Sequence, residues 1–409
     1  MPFLPPSASP AATLILTARG LRAVVDGCIS VVLPAYLLAL GFDALQIGVL
    51  STATLLGSAL LTLAVGFLGA RGGLRTLLLA SSALMIATGC GFALADGFWF
   101  LLLIAFVGTL NPSSGDVSVF LPLEQAALSG TVGDRERTAL FARYSLVGSL
   151  CGAAGTLLAA VPDLLAEAQQ ADPVSLFRAT FVFYAAIALA AGLVYRRLPP
   201  DPVVPRSDGR SALGPSKAIV LRLAGLFGVD AFAGGLVVQS LLALWLFQSF
   251  GSSVSEAATI FFATNLLSAI SYLVAARIAE RFGLVNTMVF THLPANACLI
   301  ALPFVDDLGL AIALLLARSL LSQMDVPTRT SYVMAVVTPA ERPAAAGVTA
   351  VPRSLAAALG PSLGGYLLGS GGFAWPLLLA GALKAAYDVA LLLMFRNVEP
   401  PDEHRARMS

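Results

Sequence analysis

The sequence predicts an all-α membrane protein with twelve transmembrane helices, arranged as two pseudo-symmetric six-helix bundles. Three observations carry the prediction. The 409 residues are 58% hydrophobic and 11% charged, with mean hydropathy +0.87. A soluble domain averages about 45–50% apolar and about 25% charged residues. Apolar stretches of the roughly 20 residues that a bilayer-crossing helix needs recur from end to end. They are continuous, without the period-two alternation of barrel strands, so helices satisfy the backbone in lipid. Finally, the second half of the chain repeats features of the first at a nearly constant shift.

Glycine, proline and charge punctuate the chain into spans that can be justified in order. The first, 14–40, carries Arg19, Arg22 and Asp26 in "ARGLRAVVDG" (18–27) and Pro34 further on. At 100° per residue the three charges fall within an arc of about 60°, one polar stripe. The second, 45–69, ends before Arg71 and Arg75, and the third, 75–95, runs up to Asp96. The fourth, 98–127, is broken at Asn111-Pro112 and carries Asp116 and Glu124. The fifth, 140–161, presents Gly148, Gly152 and Gly155, a spacing that permits close helix packing. The sixth, 175–196, stops at Arg196-Arg197. A Pro-rich basic stretch, "RRLPPDPVVPRSDGRSALGPSK", follows, which divides the chain into halves 1–196 and 217–409 with a linker over 197–216. The seventh span, 217–249, holds Asp230, Gly234, Gly235 and Gln239. The eighth, 254–280, closes on Arg277, Glu280 and Arg281, and the ninth, 284–303, contains His292. The tenth, 308–335, carries Arg318, Asp325 and Arg329 on one face, at spacings of 7 and 4. The eleventh, 345–369, is rich in small residues, and the twelfth, 372–396, has Lys384 and Asp388 as an i,i+4 pair.

Basic residues orient such spans. With twelve crossings, Arg71, Arg75, Arg135, Arg137, Arg143, the linker cations, Arg277, Arg281, Arg342, Arg353 and Arg396 all fall on one side. The opposite loops carry Asp43, Asp96, Asp163, Glu167, Asp172, Glu256, Asp306 and Asp307, with only Arg178 near them. Both termini are therefore expected in the cytoplasm, and the protein in the inner or plasma membrane. The stretch "MPFLPPSASPAA" has no basic n-region and no h-region of its own, so no signal peptide is expected there.

The halves match in order. "GFLGARGGLRT" (66–76) lies over "ARIAERFGLVNT" (276–287), so that Arg71 meets Arg281, 210 residues on. "DVSVFLPLEQA" (116–126) lies over "DVPTRTSYVMA" (325–335), so that Asp116 meets Asp325 at a shift of 209. "SLVGSLCGAAG" (145–155) meets "SLAAALGPSLG" (354–364). Each half starts and ends on the same side, so the repeats are parallel, an arrangement suited to a midplane site between halves.

These residues resemble the major facilitator superfamily. Its loop signature between helices 2 and 3, roughly G-x-L-x-D-R-x-G-R-R, reads here Gly66-Phe67-Leu68-Gly69-Ala70-Arg71-Gly72-Gly73-Leu74-Arg75, with Ala70 at the acidic position. The second copy keeps an acid, in Ile278-Ala279-Glu280-Arg281-Phe282-Gly283. "TPAERPAAAG" (338–347) resembles the P-x-E-R stretch, and "LGPSLGGY" (359–366) the Gly-Pro-rich packing segment. The proline of the antiporter-type helix 5 signature is absent, with Ala153 and Ala154 in its stretch. The resemblance implies alternating access, a cavity lined by helices 1, 4, 7 and 10, and a cytoplasmic gate. Cavity or substrate residues are then Arg19, Arg22, Asp26, Asp230, Gln239, Arg318, Asp325 and Arg329. Gate residues are Arg71, Arg75, Asp116, Glu124, Glu280 and Arg281. Asp116 has two readings, latch acid or proton site.

A charge in hydrocarbon costs about 2.5–3.5 kcal/mol on an insertion scale, so each must face protein or water. Asp230 has no basic neighbour on its own helix face within two turns except Arg222 near the end. An unpaired buried carboxylate binds a proton more readily, so Asp230 and Asp26 are the expected proton-coupling residues. Lys384 and Asp388 are expected to form a structural ion pair, and Arg19 has the option of snorkelling to the interface.

Composition narrows the function. Net charge +1 gives no bias toward nucleic acid. No GxxxxGK[ST] loop provides for ATP. Cys28, Cys90, Cys151 and Cys298 show no pairing motif, and His292 and His404 no metal-ligand spacing, so no metal and no cofactor is expected. No nucleophile–base set points to an enzyme. The expected function is secondary transport of a small solute: proton-coupled efflux by a monomer in the bilayer. Alternatives are an importer or facilitator of an anionic or zwitterionic metabolite, a metalloid exporter using Cys28, and a membrane receptor or scaffold without flux.

Overall fold

The computed structural model describes residues 9–68, 73–113, 118–129, 131, 134–199, 213–214, 216–338, 341–372 and 374–396. Regular structure among them is entirely helical. The helices are α1 (Pro10–Ala39), α2 (Ala44–Leu68), α3 (Leu74–Leu94), α4 (Phe98–Val107), α5 (Phe120–Ser129), α6 (Asp134–Leu158), α7 (Ala160–Gln169) and α8 (Pro173–Tyr195). After the linker come α9 (Lys217–Leu236), α10 (Gln239–Phe250), α11 (Val254–Phe282), α12 (Leu284–Ala301), α13 (Leu308–Ser322), α14 (Asp325–Ala335), α15 (Arg342–Gly369) and α16 (Trp375–Phe395). Among the described residues, ten stretches are long and apolar enough to cross a membrane. The expected spans 98–127 and 345–369 are not among the ten. In the first, α4 and α5 are helices of only 10 residues each. In the second, Gly, Ser, Pro and Arg353 dilute the apolar character of α15. Large apolar side chains face outward, with Trp99 76%, Phe100 70% and Leu393 66% exposed, as a lipid-facing surface requires.

The chain divides into two compact units, Met1–Arg206 with Val238–Phe262, and Ser207–Val237 with Ala263–Ser409. The same internal packing recurs in both. In the first unit α1 packs along α6 and α8, and α3 along α8. In the second, α9 packs along α15 and α16, and α12 along α16. Glycine makes the tightest of these approaches possible. A Cβ on Gly27 would lie 2.1 Å from the carbonyl oxygen of Gly152, and one on Gly155 would lie 1.9 Å from that of Val24. In the second unit a Cβ on Gly235 would lie 2.3 Å from the carbonyl oxygen of Ala357. Backbone meets backbone at both crossings, which only a residue without a side chain allows.

The turns repeat as well. Gly41 (φ +85°) and Gly251 (φ +62°) reverse the chain through the left-handed region. Reciprocal caps follow. Gln46 N–H donates to Asp43 Oδ1 (2.7 Å) and Asp43 N–H to Gln46 Oε1 (3.0 Å) at the head of α2. Ser253 N–H donates to Glu256 Oε2 (2.8 Å) and Glu256 N–H to Ser253 Oγ (3.1 Å) at the head of α11. Each pair satisfies two helix-start donors that hydrocarbon would leave bare. Asp172 and Asp307 cap α8 and α13 in the same sense. Several acids of the acidic side are thus helix caps. At the opposite end, Ser9 N–H bonds Thr131 C=O (3.1 Å) in the first unit. In the second, Glu341 accepts from Gly214 N–H (2.7 Å), from Ser216 N–H and Oγ (3.2 and 2.8 Å), and from Thr338 Oγ1 (2.7 Å). The start of α1 is fastened to the segment before α6, and the start of α9 to the segment before α15.

Candidate functional site

Each unit buries one charged network. In the first, Arg22 is 1% and Glu124 0% exposed. Arg22 Nη2 reaches Glu124 Oε2 at 2.5 Å, and Arg22 Nε donates to Tyr195 Oη at 3.2 Å. Tyr144 Oη donates to Glu124 Oε2 and Tyr195 Oη to Glu124 Oε1, both at 2.5 Å. The Arg22 guanidinium lies 4.0 Å over the Phe120 ring, which stacks on Tyr195. Four helices, α1, α5, α6 and α8, therefore meet at one carboxylate. Arg19 is 6% exposed and lies over the Tyr144 ring at 5.1 Å. It runs along α6 rather than out to the interface, and there a Cβ on Gly148 would come within 2.5 Å of its Nη2. One turn beyond Arg22, Asp26 is buried too. Further along, Gln239 Nε2 donates to Ser30 Oγ (2.8 Å), and Ser30 Oγ donates to the Gly27 carbonyl (2.7 Å).

The second unit gathers charge around Asp230, which is 4% exposed. Lys384 Nζ donates to Asp230 Oδ1 at 2.6 Å, and Arg329 Nη1 donates to Oδ2 at 3.1 Å. Arg329 Nη2 also lies 3.4 Å from Asp325 Oδ2, one turn back on α14, and its guanidinium sits 5.4 Å over Phe227. One turn further along α16, Asp388 meets His292 Nδ1 at 3.0 and 3.1 Å and accepts from Asn296 Nδ2 at 2.7 Å.

One corresponding position carries opposite charge in the two halves. Arg22 and Asp230 are 208 residues apart, on the first helix of each half, and Phe120 and Arg329 are 209 apart on the fourth. In the first unit the cation stands on the first helix and its acid on the fourth. In the second the acid stands on the first helix and a cation on the fourth.

Several expectations change. Asp230 has two cationic partners, both distant in sequence, so it is not the unpaired carboxylate that its own helix suggested. Lys384 and Asp388 take different partners: the lysine turns to Asp230 and the aspartate to His292. An i,i+4 spacing allows a pair but does not oblige one when a better-placed partner lies on a neighbouring helix. Glu124, expected at a gate, is the buried centre of the first network, and it is the acid that meets Arg22. Arg75 Nη2 donates to the Arg196 carbonyl (2.7 Å), satisfying an open carbonyl at the end of α8. Glu280 and Arg281 are exposed at the end of α11, with Arg281 beside the Phe282 ring. Arg318 is half-buried on α13. Arg71 and Asp116 lie outside the described residues. Sequence reasoning missed Tyr144, Tyr195, Asn296 and the use of His292. The one available signal was that His292 stands alone among apolar residues. The four cysteines are free thiols.

A lipid-facing helical chain, with similar helix packing in both units and a buried charged network in each, defines a membrane protein of the transporter type. The model of the Major Facilitator Superfamily matches residues 15–243 and 223–409, and the chain belongs to that family. An uncharacterised membrane protein of Saccharomyces cerevisiae, YJR124C, is 23% identical, with 93% of this chain and 92% of that protein covered. Among solved structures, the nucleoside transporter NupG superposes with a TM-score of 0.74 at 15% identity, covering 94% of this chain and 100% of that one. An inward-facing bacterial homologue of the human lysosomal transporter Spinster superposes with a TM-score of 0.68 at 17% identity, with 95% of both chains covered. These likenesses give the fold, that of the major facilitator transporters.

Proposed function

We propose that this transporter is a proton-coupled exporter, a solute–proton antiporter that works by alternating access. The chain crosses the inner or plasma membrane twelve times as a monomer, with both termini cytoplasmic. The α4–α5 pair and α15 supply the eleventh and twelfth crossings beyond the ten stretches of full length and hydropathy. Residues 1–196 and 217–409 act as the two working halves. The observation that carries the reading is the pair of buried networks around Arg22–Glu124 and Asp230–Lys384–Arg329. Burying so many ionisable groups in a membrane protein is costly, and they mark ion and substrate pathways. Arg22 and Arg329 are each neutralised by acids, which supports a neutral or cationic solute over an anionic one. Asp26 and Gln239 line the solute path in this reading, with Arg318 at its edge, and Asp26 carries a proton. Glu280, Arg281, Arg71 and Asp116 belong to the cytoplasmic gate.

A growth screen of a deletion strain against drugs, metalloids and organic acids identifies the solute. Its flux is then followed in inverted vesicles. Uptake that requires an acidic vesicle interior, and that a protonophore abolishes, is the expected result. Uptake indifferent to the gradient would make the protein a facilitator, and no flux of any screened solute would leave a receptor or scaffold.

A further inference from the structure

The pair His292–Asp388 joins α12 to α16 in the second unit, and neither residue has a part in the function proposed above. His292 is 3% and Asp388 0% exposed. The imidazole Nδ1 faces both carboxylate oxygens, at 3.0 and 3.1 Å, and Asn296 Nδ2 holds Oδ2 at 2.7 Å. The Tyr387 ring closes the imidazole edge-on, with ring centres 6.2 Å apart. Asp388 stands one turn from Lys384, whose ammonium binds Asp230. Asp230 binds Arg329, and Arg329 meets Asp325.

The geometry points to His292–Asp388 as a proton-binding site of this protein. The assignment rests on the proton-coupled reading and adds to Asp26 a second site, at the α12–α16 pair. In the neutral ring, Nδ1–H donates to Asp388 and Nε2 keeps a lone pair. A proton taken up at Nε2 turns this hydrogen bond into an ion pair, and no other bond forms or breaks. Histidine is the side chain whose ordinary titration falls between about pH 5 and 8. Lys384 and Arg329 are bonded to Asp230, and Arg329 also meets Asp325. Asp388 meets His292 and Asn296 instead, so protonation of His292 places a counter-charge directly on Asp388. Arg318 on α13 and Arg353 on α15 act on Asp230 from longer range. Asp230 is thereby the relay: gain or loss of charge at His292 changes what Lys384 experiences, and Lys384 bridges α16 to α9. In the network of the first unit the central acid, Glu124, is held by an arginine and two tyrosines and pairs with no histidine.

The chain has two histidines, which makes the site directly readable. Protein with His404→Asn, labelled at histidine and reconstituted in lipid nanodiscs without solute, gives a single imidazole NMR signal. The proton is the only probe. The signal is expected to titrate with pH, its midpoint displaced by about one pH unit or more in Asp388→Asn and in Lys384→Met. In Asp388→Glu, which keeps the charge, the midpoint stays near that of the parent. An imidazole signal constant from pH 5 to 8, or one whose midpoint is the same in the parent and both charge-removing variants, overturns the assignment. Lys384→Met also serves if Asp388→Asn does not fold. The titration needs no transport, so a titrating pair in a protein without gradient-driven flux defeats the antiporter reading alone. A silent histidine in a protein with such flux defeats this site alone.

Discussion

Glu124 accepts hydrogen bonds from Arg22, Tyr144 and Tyr195, each at 2.5 Å, so its removal strands three buried donors. Replacing one partner of a buried pair costs about 3–5 kcal/mol, whereas replacing both with apolar residues of similar volume is often near neutral. Glu124→Ala is therefore expected to lower the thermal unfolding midpoint of the purified protein sharply. Arg22→Met with Glu124→Leu should recover the part of the loss due to the stranded guanidinium, while the Tyr144 and Tyr195 hydroxyls stay unpaired. A double variant as unstable as the single one would contradict a counter-charge role for Glu124. Glu341 gives a second test outside the spans. Hydrogen bonds from Thr338 and Ser216, with the Gly214 and Ser216 amides behind them, hold its carboxyl down to about 2. A depressed acid contributes its full stability above its ordinary value of 4.5 and loses it as pH falls toward 2. Unfolding midpoints should thus fall more steeply between pH 5 and 3 in the parent than in Glu341→Gln. At this scale the sequence marked charges that are buried but not most of their partners. Arg22, Asp230, Asp325, Arg329, Lys384 and Asp388 could all be read as costly in lipid. Their pairing could not, because Arg22 finds Glu124 102 residues away and Asp230 finds Lys384 154 away. Only Asp325–Arg329, one turn apart, is local enough to read from spacing.

Helix ends and crossings were more legible than side-chain partners, since they depend on short-range chemistry. Asn111-Pro112 signals the gap between α4 and α5, where Ser113 N–H and Oγ both bond Asn111 Oδ1. The separation of α9 from α10 at Val237–Val238 is masked in sequence by valines and leucines that read as one continuous span. The glycines at the crossings offer an element-scale test. Gly27→Ala places a methyl 2.1 Å from the Gly152 carbonyl oxygen, and Gly235→Ala places one 2.3 Å from that of Ala357. Such overpacking costs about 1–3 kcal/mol or more, and both variants should unfold at lower temperature. Gly225→Ala is the control, since its methyl would meet nothing within 4 Å. There the higher helix propensity of alanine should leave stability unchanged or raise it by up to about 1 kcal/mol. Equal effects at all three positions would remove the close-approach argument.

For the whole molecule, twelve crossings with cytoplasmic ends require reporters fused after Ser409 and inserted within 197–216 to read cytoplasmic together. A periplasmic signal from either leaves an odd number of crossings in one half and breaks the parallel repeat. That repeat was the most legible feature of all, because it is written at several points at once: the segments 66–76, 116–126 and 145–155 all recur near one shift. What does not recur is the sign of the buried charge at Arg22 and Asp230. The two halves share a place for a charge without sharing the charge itself. Two copies of the present first half would seat arginine at both places, and two copies of the second would seat aspartate. Each half now carries the acid partner, or the base partner, that its own version of the place demands. The halves are specialists, and neither could stand in for the other.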